Sequence, residues 1–334
     1  MGGAERWILS LVKNFKIFNP KRIFISLGHF DQELLSEAEK YTEVIVNDWK
    51  IKNPNDAIKN YISDIDIIIS WGCSNLPQMT EFFTGPVIDV SHNDPSWTDQ
   101  INLLKNSSVK ASHLVGVSKN ASLSFPENRK KDVTVIYNGI ETSRLNPIIS
   151  REKQRKIWKI KKNKKVVLFL SRLSKVKNPQ KLIESLKYLP DDYCIVMISI
   201  GDLYNELSFF SSDRIIFVPP KINVGDYLNA ADVLVLPSLH EGMPLTLLEA
   251  WYFGLPTVST EYQTYKEIKH NHGNLSWTVP VDCKPKQLAI KIKQAYGQKN
   301  SIRVKNAKKI VLNNYTSEKM SDNWENFILK ILKD

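Results

Sequence analysis

Residues 240–260, HEGMPLTLLEAWYFGLPTVST, decide how this chain is read. Glu241 sits in a Gly/Pro turn, and Pro244 suits a first helical position, where a missing N–H costs nothing. Leu245, Leu247, Leu248, Ala250, Trp251 and Phe253 then make an apolar helix, which Gly254 ends and Pro256 keeps from restarting. Glu249 lies inside that helix. An unpaired buried carboxylate is costly, so something has to pair with it. Glu241 lies just ahead of a helix N-terminus, where backbone N–H groups favour an anion. Together the two glutamates point to a ligand bearing both hydroxyls and phosphate.

The surroundings read as alternating strands and helices. Strand candidates in the first half are Arg22–Leu27, Glu43–Val46, Asp66–Ser70, Val87–Val90, His113–Val117 and Thr134–Tyr137. In the second half they are Lys165–Leu170, Tyr193–Ile200, Arg214–Val218, Val233–Leu236 and Thr257–Ser259. Short Val/Ile/Leu-rich runs separated by helices imply parallel sheets covered on both faces. At 334 residues, two α/β domains are expected. Pro147 and the charged run behind it mark the break, giving domains 1–147 and 148–316 and a closing helix over 317–334. That helix carries Met320, Trp324, Phe327, Ile328 and Ile331 on its apolar face. In doubly wound sheets, ligands bind at the loops after the carboxyl ends of strands. His92, Arg172 and Glu241 all fall there.

Composition narrows the classes. No apolar run approaches the roughly 18–20 residues of a membrane span, and the N-terminus lacks a signal-peptide pattern. Cys73, Cys194 and Cys283 show no metal-ligand spacing, so a cytoplasmic setting is the simplest expectation. The net charge of +11 is uneven: 16 Lys/Arg face 17 Asp/Glu in residues 1–145, and 30 face 18 in residues 146–334. Arg151–Lys165, REKQRKIWKIKKNKK, holds nine basic residues and one acid. The bland reading is a solvated linker and helix surface. The functional one is attraction of anionic headgroups at a membrane face, or of an anionic substrate. Nucleic acid is not expected, because aromatics beyond Trp158 and any nucleic-acid module are missing.

The second informative stretch is VVLFLSRLSKVKNPQKLIESL, residues 166–186. A strand runs into a loop with Arg172 and Lys177, then into a helix with Asn178 as N-cap and Pro179 as first residue. A guanidinium and an ammonium beside a helix N-terminus suit a diphosphate.

At this point residues 166–260 resemble the C-terminal domain of a retaining GT-B glycosyltransferase of family four, the glycosyl transferases group 1. The pieces are SRLSKVKN, ISIGD at 198–202, AADVLVLPS at 230–238 and EGMPLTLLEAWYFGLPTVST at 241–260. GGAER at 2–6, VIDVSHN at 87–93, VGVSKNAS at 115–122 and VIYNGIE at 135–141 are similar to the family's N-domain landmarks, in the right order. The resemblance implies two Rossmann-like doubly wound domains facing a central cleft. It implies transfer of a sugar, with retention, from a nucleoside diphosphate sugar (a UDP-sugar first) to a hydroxyl on a surface glycan or lipid-linked saccharide.

Roles follow position by position. Glu249 would accept hydrogen bonds from the ribose hydroxyls, since a carboxylate offers two acceptor oxygens to a diol. Glu241 would lie against the transferred sugar and support positive charge at its anomeric carbon. Arg172 and Lys177 would neutralise the departing diphosphate, so no cofactor and no metal are expected. Backbone groups of Gly242, Met243, Leu245 and Thr246, with Gly3 and Val218, would complete the donor site. His92 matches a histidine that faces the sugar from the N-domain, although a lone histidine after a strand is more often structural. Asp94, Trp97 and Trp71 are candidates for the acceptor side, with ordinary loop packing as the plainer alternative. Asp64-Ile65-Asp66 precedes a strand and reads as structural rather than as a metal motif.

Three departures stand out. Ser171 replaces a usual glycine, and Glu261-Tyr262-Gln263 replaces a common Gly-Gly pair. GGAER, which normally follows the first N-domain strand, comes directly after Met1, so that strand is expected to be missing. Rival expectations are a nucleotide-sugar-binding protein that does not turn over, and another GT-B chemistry such as a phosphorylase or epimerase.

Overall fold

A computed structural model of the chain describes residues 3–25, 32–46, 61–71, 76, 81, 83–96, 104–105, 107–109 and 111–333. It divides into two compact units, one of residues 1–139 with 317–334, the other of residues 140–316.

In the first unit the strands are β1 (Arg22–Ile25), β2 (Glu43–Val46), β3 (Ile68–Trp71), β4 (Val87–Ser91), β5 (His113–Gly116) and β6 (Val133–Val135). Every pairing is parallel. They form two sheets, β1-β2 and β3-β4-β5-β6. Residues 3–14 are helical, so no strand precedes β1 among the described residues, and none there joins β1 to β3. Asp64 pairs with Lys21 and Arg22, a brace at the foot of β1.

The second unit holds β7 (Lys165–Phe169), β8 (Tyr193–Ile198), β9 (Ile215–Val218), β10 (Val233–Leu236), β11 (Thr257–Thr260) and β12 (Trp277–Val279). They make one parallel sheet in the order β12-β11-β10-β7-β8-β9. Tyr193 to Ile198 of β8 are all buried, which is why that strand reads as an unbroken apolar run instead of alternating. The order reverses between β7 and β10. A crevice for ligand opens at such a switch point, beyond the carboxyl ends of the two strands. The loops concerned run from Leu170 to Asn178 and from Pro237 to Pro244.

The division between units falls at Gly139/Ile140, eight residues before the Pro147 break read from the sequence. The intervening segment is bound to the second unit. Ile140 bridges Thr316, and Arg144 donates to the Ile222 carbonyl at 2.8 and 3.1 Å. The N–H groups of Ile148 and Ile149 both donate to Asp226 Oδ1, at 2.7 and 3.0 Å. Gly225 lets this segment pass, because a Cβ there would sit 2.6 Å from the carbonyl carbon of Leu145. Gly225→Ala is therefore expected to cost about 1–3 kcal/mol through forced displacement of the 144–149 backbone. Thermal unfolding would show a midpoint several degrees lower.

Within the first unit, Ser317–Ile331 returns to the N-terminal helix Gly3–Asn14. Trp324 packs on Trp7 with ring centroids 5.7 Å apart. Glu325 Oε1 accepts the N–H groups of Lys16 and Ile17, both at 2.6 Å. No helix among the described residues is long and apolar enough to cross a membrane.

Candidate functional site

Lys177 reaches the switch point because of one backbone turn. The short helical turn Lys175–Lys177 ends on Asn178, whose φ of 50° and ψ of 49° are left-handed. Asparagine tolerates that region better than most residues. Asn178 makes no side-chain cap for the helix Pro179–Ser185, so its part is the backbone reversal and not the expected N-cap hydrogen bond.

Lys177 Nζ lies 2.6 Å from Glu241 Oε2, and Ser238 Oγ donates to Glu241 Oε1 at 2.7 Å. Both side chains are largely withdrawn from solvent, Lys177 to 15% and Glu241 to 7% exposure. Thr264 Oγ1 donates to the Glu241 carbonyl at 2.6 Å, which fixes the turn itself. Glu241 is thus held at side chain and backbone by its own loop, by Lys177 and by the helix Gln263–His272. Thr264 lies just beyond Glu261-Tyr262-Gln263, the triplet that replaces a common Gly-Gly pair. Tyr262 is buried, and a phenol there is pushed well above its usual range by desolvation and by nearby Glu241.

The helix behind Glu241 runs Leu245–Phe253, with Pro244 as its N-cap residue at ψ 78°, one position earlier than the sequence reading. Gly254, at φ 80°, closes it, and Leu255 N–H returns to the Ala250 carbonyl at 2.9 Å. Trp251 is pinned by Nε1 to Thr257 Oγ1 at 2.9 Å. Glu249 is buried on this helix, and its partner is Arg144, whose Nη1 bonds Oε1. Sequence reasoning missed Arg144, although the demand for a cation beside Glu249 was its signal. Thr246 Oγ1 donates to the Leu170 carbonyl at 3.0 Å, tying the helix start to the end of β7. Gly242 and Met243 are buried in the turn, and Arg172 is exposed on its loop with no ion pair among the described residues. Val218 ends β9, buried, with its carbonyl taken by Ser199 N–H at 2.7 Å and Ser199 Oγ at 2.9 Å.

The remaining candidates lie in the first unit. Gly3 is the first residue of the helix Gly3–Asn14. His92 follows β4 and is edge-on to Trp7 at 4.7 Å and to Trp71 at 5.5 Å. Asn138 Nδ2 contacts its Nδ1 at 3.4 Å, and Nε2 is buried without a hydrogen-bond partner. Burial drives the imidazole down to about 3, so the ring is neutral at physiological pH. With Asn138 donating to Nδ1, the ring hydrogen sits on Nε2, and His92 offers a donor instead of an acid. Asp94 is a loop organiser: it accepts from Ser96 N–H at 2.9 Å and from Asn120 Nδ2 at 2.7 Å. Trp71 is 37% exposed beside His92, and Trp97 lies outside the described residues.

The basic run is smaller at the surface than in the sequence. Arg151 and Arg155 both pair with Asp232, which also accepts Val166 N–H at 2.7 Å. Lys165 pairs with Asp192 at 2.8 Å, and Trp158 is buried edge-on to Tyr227. Lys153, Lys156, Lys159, Lys161 and Lys162 remain exposed.

Residues 150–313 match the family model described as glycosyl transferases group 1. The chain is 34% identical over 138 residues to the UDP-Gal:alpha-D-GlcNAc-diphosphoundecaprenol alpha-1,3-galactosyltransferase of Escherichia coli, covering 38% of this chain and 36% of that protein. It is 30% identical over 148 residues to the lipopolysaccharide core biosynthesis mannosyltransferase LpsB of Rhizobium meliloti, covering 40% and 42%. The matched stretch thus spans well under half the length of these relatives. Anabaena HepE, solved in complex with UDP-glucose, superposes with a TM-score of 0.85 at 18% identity, covering 99% of this chain and 96% of that one. That likeness shows the fold, the two-domain α/β GT-B architecture.

Proposed function

We propose, from the match of residues 150–313 to the glycosyl transferases group 1 model, that the chain transfers a sugar from a nucleoside diphosphate sugar to a hydroxyl acceptor. The observation that carries this reading is the ordered Lys177–Glu241–Ser238 cluster at the switch point, with Glu249 buried on the helix behind it. Lys177, helped by Arg172, meets the diphosphate. Glu249 accepts from the ribose hydroxyls. Glu241 faces the sugar and supports the positive charge that develops as the bond from the anomeric carbon to the diphosphate oxygen breaks.

The finer reading is a retaining, family-four enzyme with a UDP-sugar as donor. The new bond from the anomeric carbon to the acceptor oxygen forms on the face the diphosphate leaves, and the departing oxygen takes the acceptor's proton. Fixed cations carry the charge of the leaving group, so the proposal includes no divalent metal. His92, a neutral ring, is the first unit's proposed contribution to catalysis. The acceptor is a lipid-linked saccharide or surface glycan. Two kinds of relative support it: one is named for a diphosphoundecaprenol-linked acceptor, the other for lipopolysaccharide core. The exposed lysines of Arg151–Lys165 would hold the protein at an anionic cytoplasmic membrane face.

A thermal-shift screen of UDP, GDP, ADP and their sugars tests the donor half. A ligand held by the native state at a hundred times its Kd stabilises by about 2.7 kcal/mol. We expect UDP to raise the midpoint, uridine to leave it, and Lys177→Ala to lose most of the UDP response. The absence of a shift with every nucleotide would sink the reading.

A further inference from the structure

Resting on the reading of Glu249 as the ribose acceptor, we propose that Arg144 is the positioning residue that makes Glu249 fit for that task. Arg144 lies on the short helical turn Thr142–Leu145, in the segment that the sequence alone assigned to the other domain. Its guanidinium is held at three points. Nε and Nη2 both donate to the Ile222 carbonyl, at 3.1 and 2.8 Å, and Nη1 bonds Glu249 Oε1. The two side chains are 10% and 6% exposed. A planar fork fastened to a backbone carbonyl has little freedom to turn, so Nη1 arrives in one place and one direction.

The consequence for Glu249 is specific. Oε1 is committed to Arg144. Oε2 has no hydrogen-bond partner among the described residues and is not among their sealed, unpaired atoms. The carboxylate therefore presents one oriented oxygen. A charged acceptor is worth more to a hydroxyl than a neutral one. Without Arg144 the buried carboxylate would be free to turn, which weakens it as an acceptor for a diol. The fork also sits where Gly225 lets the 144–149 segment approach, so its placement is built into the backbone.

The test compares ligands that differ only at the ribose. UDP and 2′,3′-dideoxy-UDP are titrated calorimetrically into wild type, Arg144→Met, Arg144→Lys and Glu249→Gln, with guanosine counterparts run in parallel. Wild type is expected to favour the ribose form by about tenfold or more, the size of a charged hydrogen bond. Arg144→Met should bring that preference to within about threefold while leaving dideoxy affinity unchanged, since a purely structural loss would weaken both ligands alike. Arg144→Lys retains charge without the fork and serves if the Met variant fails to fold; it should restore less than half of the preference. If both Arg144 variants keep the full preference and Glu249→Gln loses it, Arg144 has no positioning role and the ribose reading stands. If Glu249→Gln also keeps it, or wild type shows none in either base series, the reading of Glu249 fails and the proposal with it.

Discussion

Glu241→Gln is expected to lower kcat by about 10²–10³-fold, the loss that follows removal of one preorganised electrostatic partner. The substitution keeps volume, and the amide oxygen can still accept from Ser238 Oγ, now at 2.7 Å. What disappears is the charge that Lys177 neutralises at 2.6 Å. Released from that pair, Lys177 is free to meet a diphosphate, so nucleotide affinity should hold or rise while turnover collapses. That opposite movement of binding and turnover separates an electrostatic role from a folding defect. Sugar transfer at the wild-type rate, measured by nucleoside diphosphate release, would remove Glu241 from the chemistry.

The second large effect concerns Asp89, in the middle of β4, three residues before His92. Its side chain is fully buried; Oδ2 accepts from Ser107 Oγ at 2.6 Å, and Oδ1 has no partner. Desolvation raises the carboxyl to about 7, against which the Ser107 hydroxyl is a smaller opposing effect. A folded-state value above the unfolded one favours the protonated form in the fold. The stability it gives is complete below about pH 4 and drains away as pH rises to about 7. Between pH 5 and pH 8 this group alone should cost on the order of 3 kcal/mol. Asp89→Asn, which keeps an acceptor for Ser107, should flatten that part of the profile and be more stable than wild type at pH 8. Chemical denaturation at the two pH values measures it, and parallel profiles for the two proteins would refute the buried-acid account.

Much of the architecture is legible in the sequence. The strand runs of the second unit were found because parallel strands covered on both faces are apolar throughout. β12 was missed, since Trp277–Val279 is three residues long with no run to detect. The edges were less legible than the middles. The division between units looked like Pro147 by composition, yet it lies at Gly139/Ile140, because Asp226 and the Ile222 carbonyl bind the segment between. Asn178 was recognised as special for a different reason than its left-handed backbone. Glu241 and Glu249 were readable as candidates because one motif holds both at fixed spacing. Arg144 was not, because its partner is over a hundred positions away and only folding brings the pair together. On the acceptor side, Asp94 shows the limit most clearly: a polar residue after a strand resembles a ligand contact until its oxygens are seen to hold Ser96 and Asn120.

The return of Ser317–Ile331 onto the N-terminal helix carries a consequence for the order of events during synthesis. The second unit is one continuous stretch, so it can close while the ribosome is still at work. The first unit cannot. Trp7 lacks the face of Trp324, and the N–H groups of Lys16 and Ile17 lack Glu325, until the second unit has been made and residues 324 and 325 follow it. The first unit therefore waits for its closing helix until after the second unit has been made. During that interval its apolar Gly3–Asn14 face is open to chaperones and to neighbouring chains.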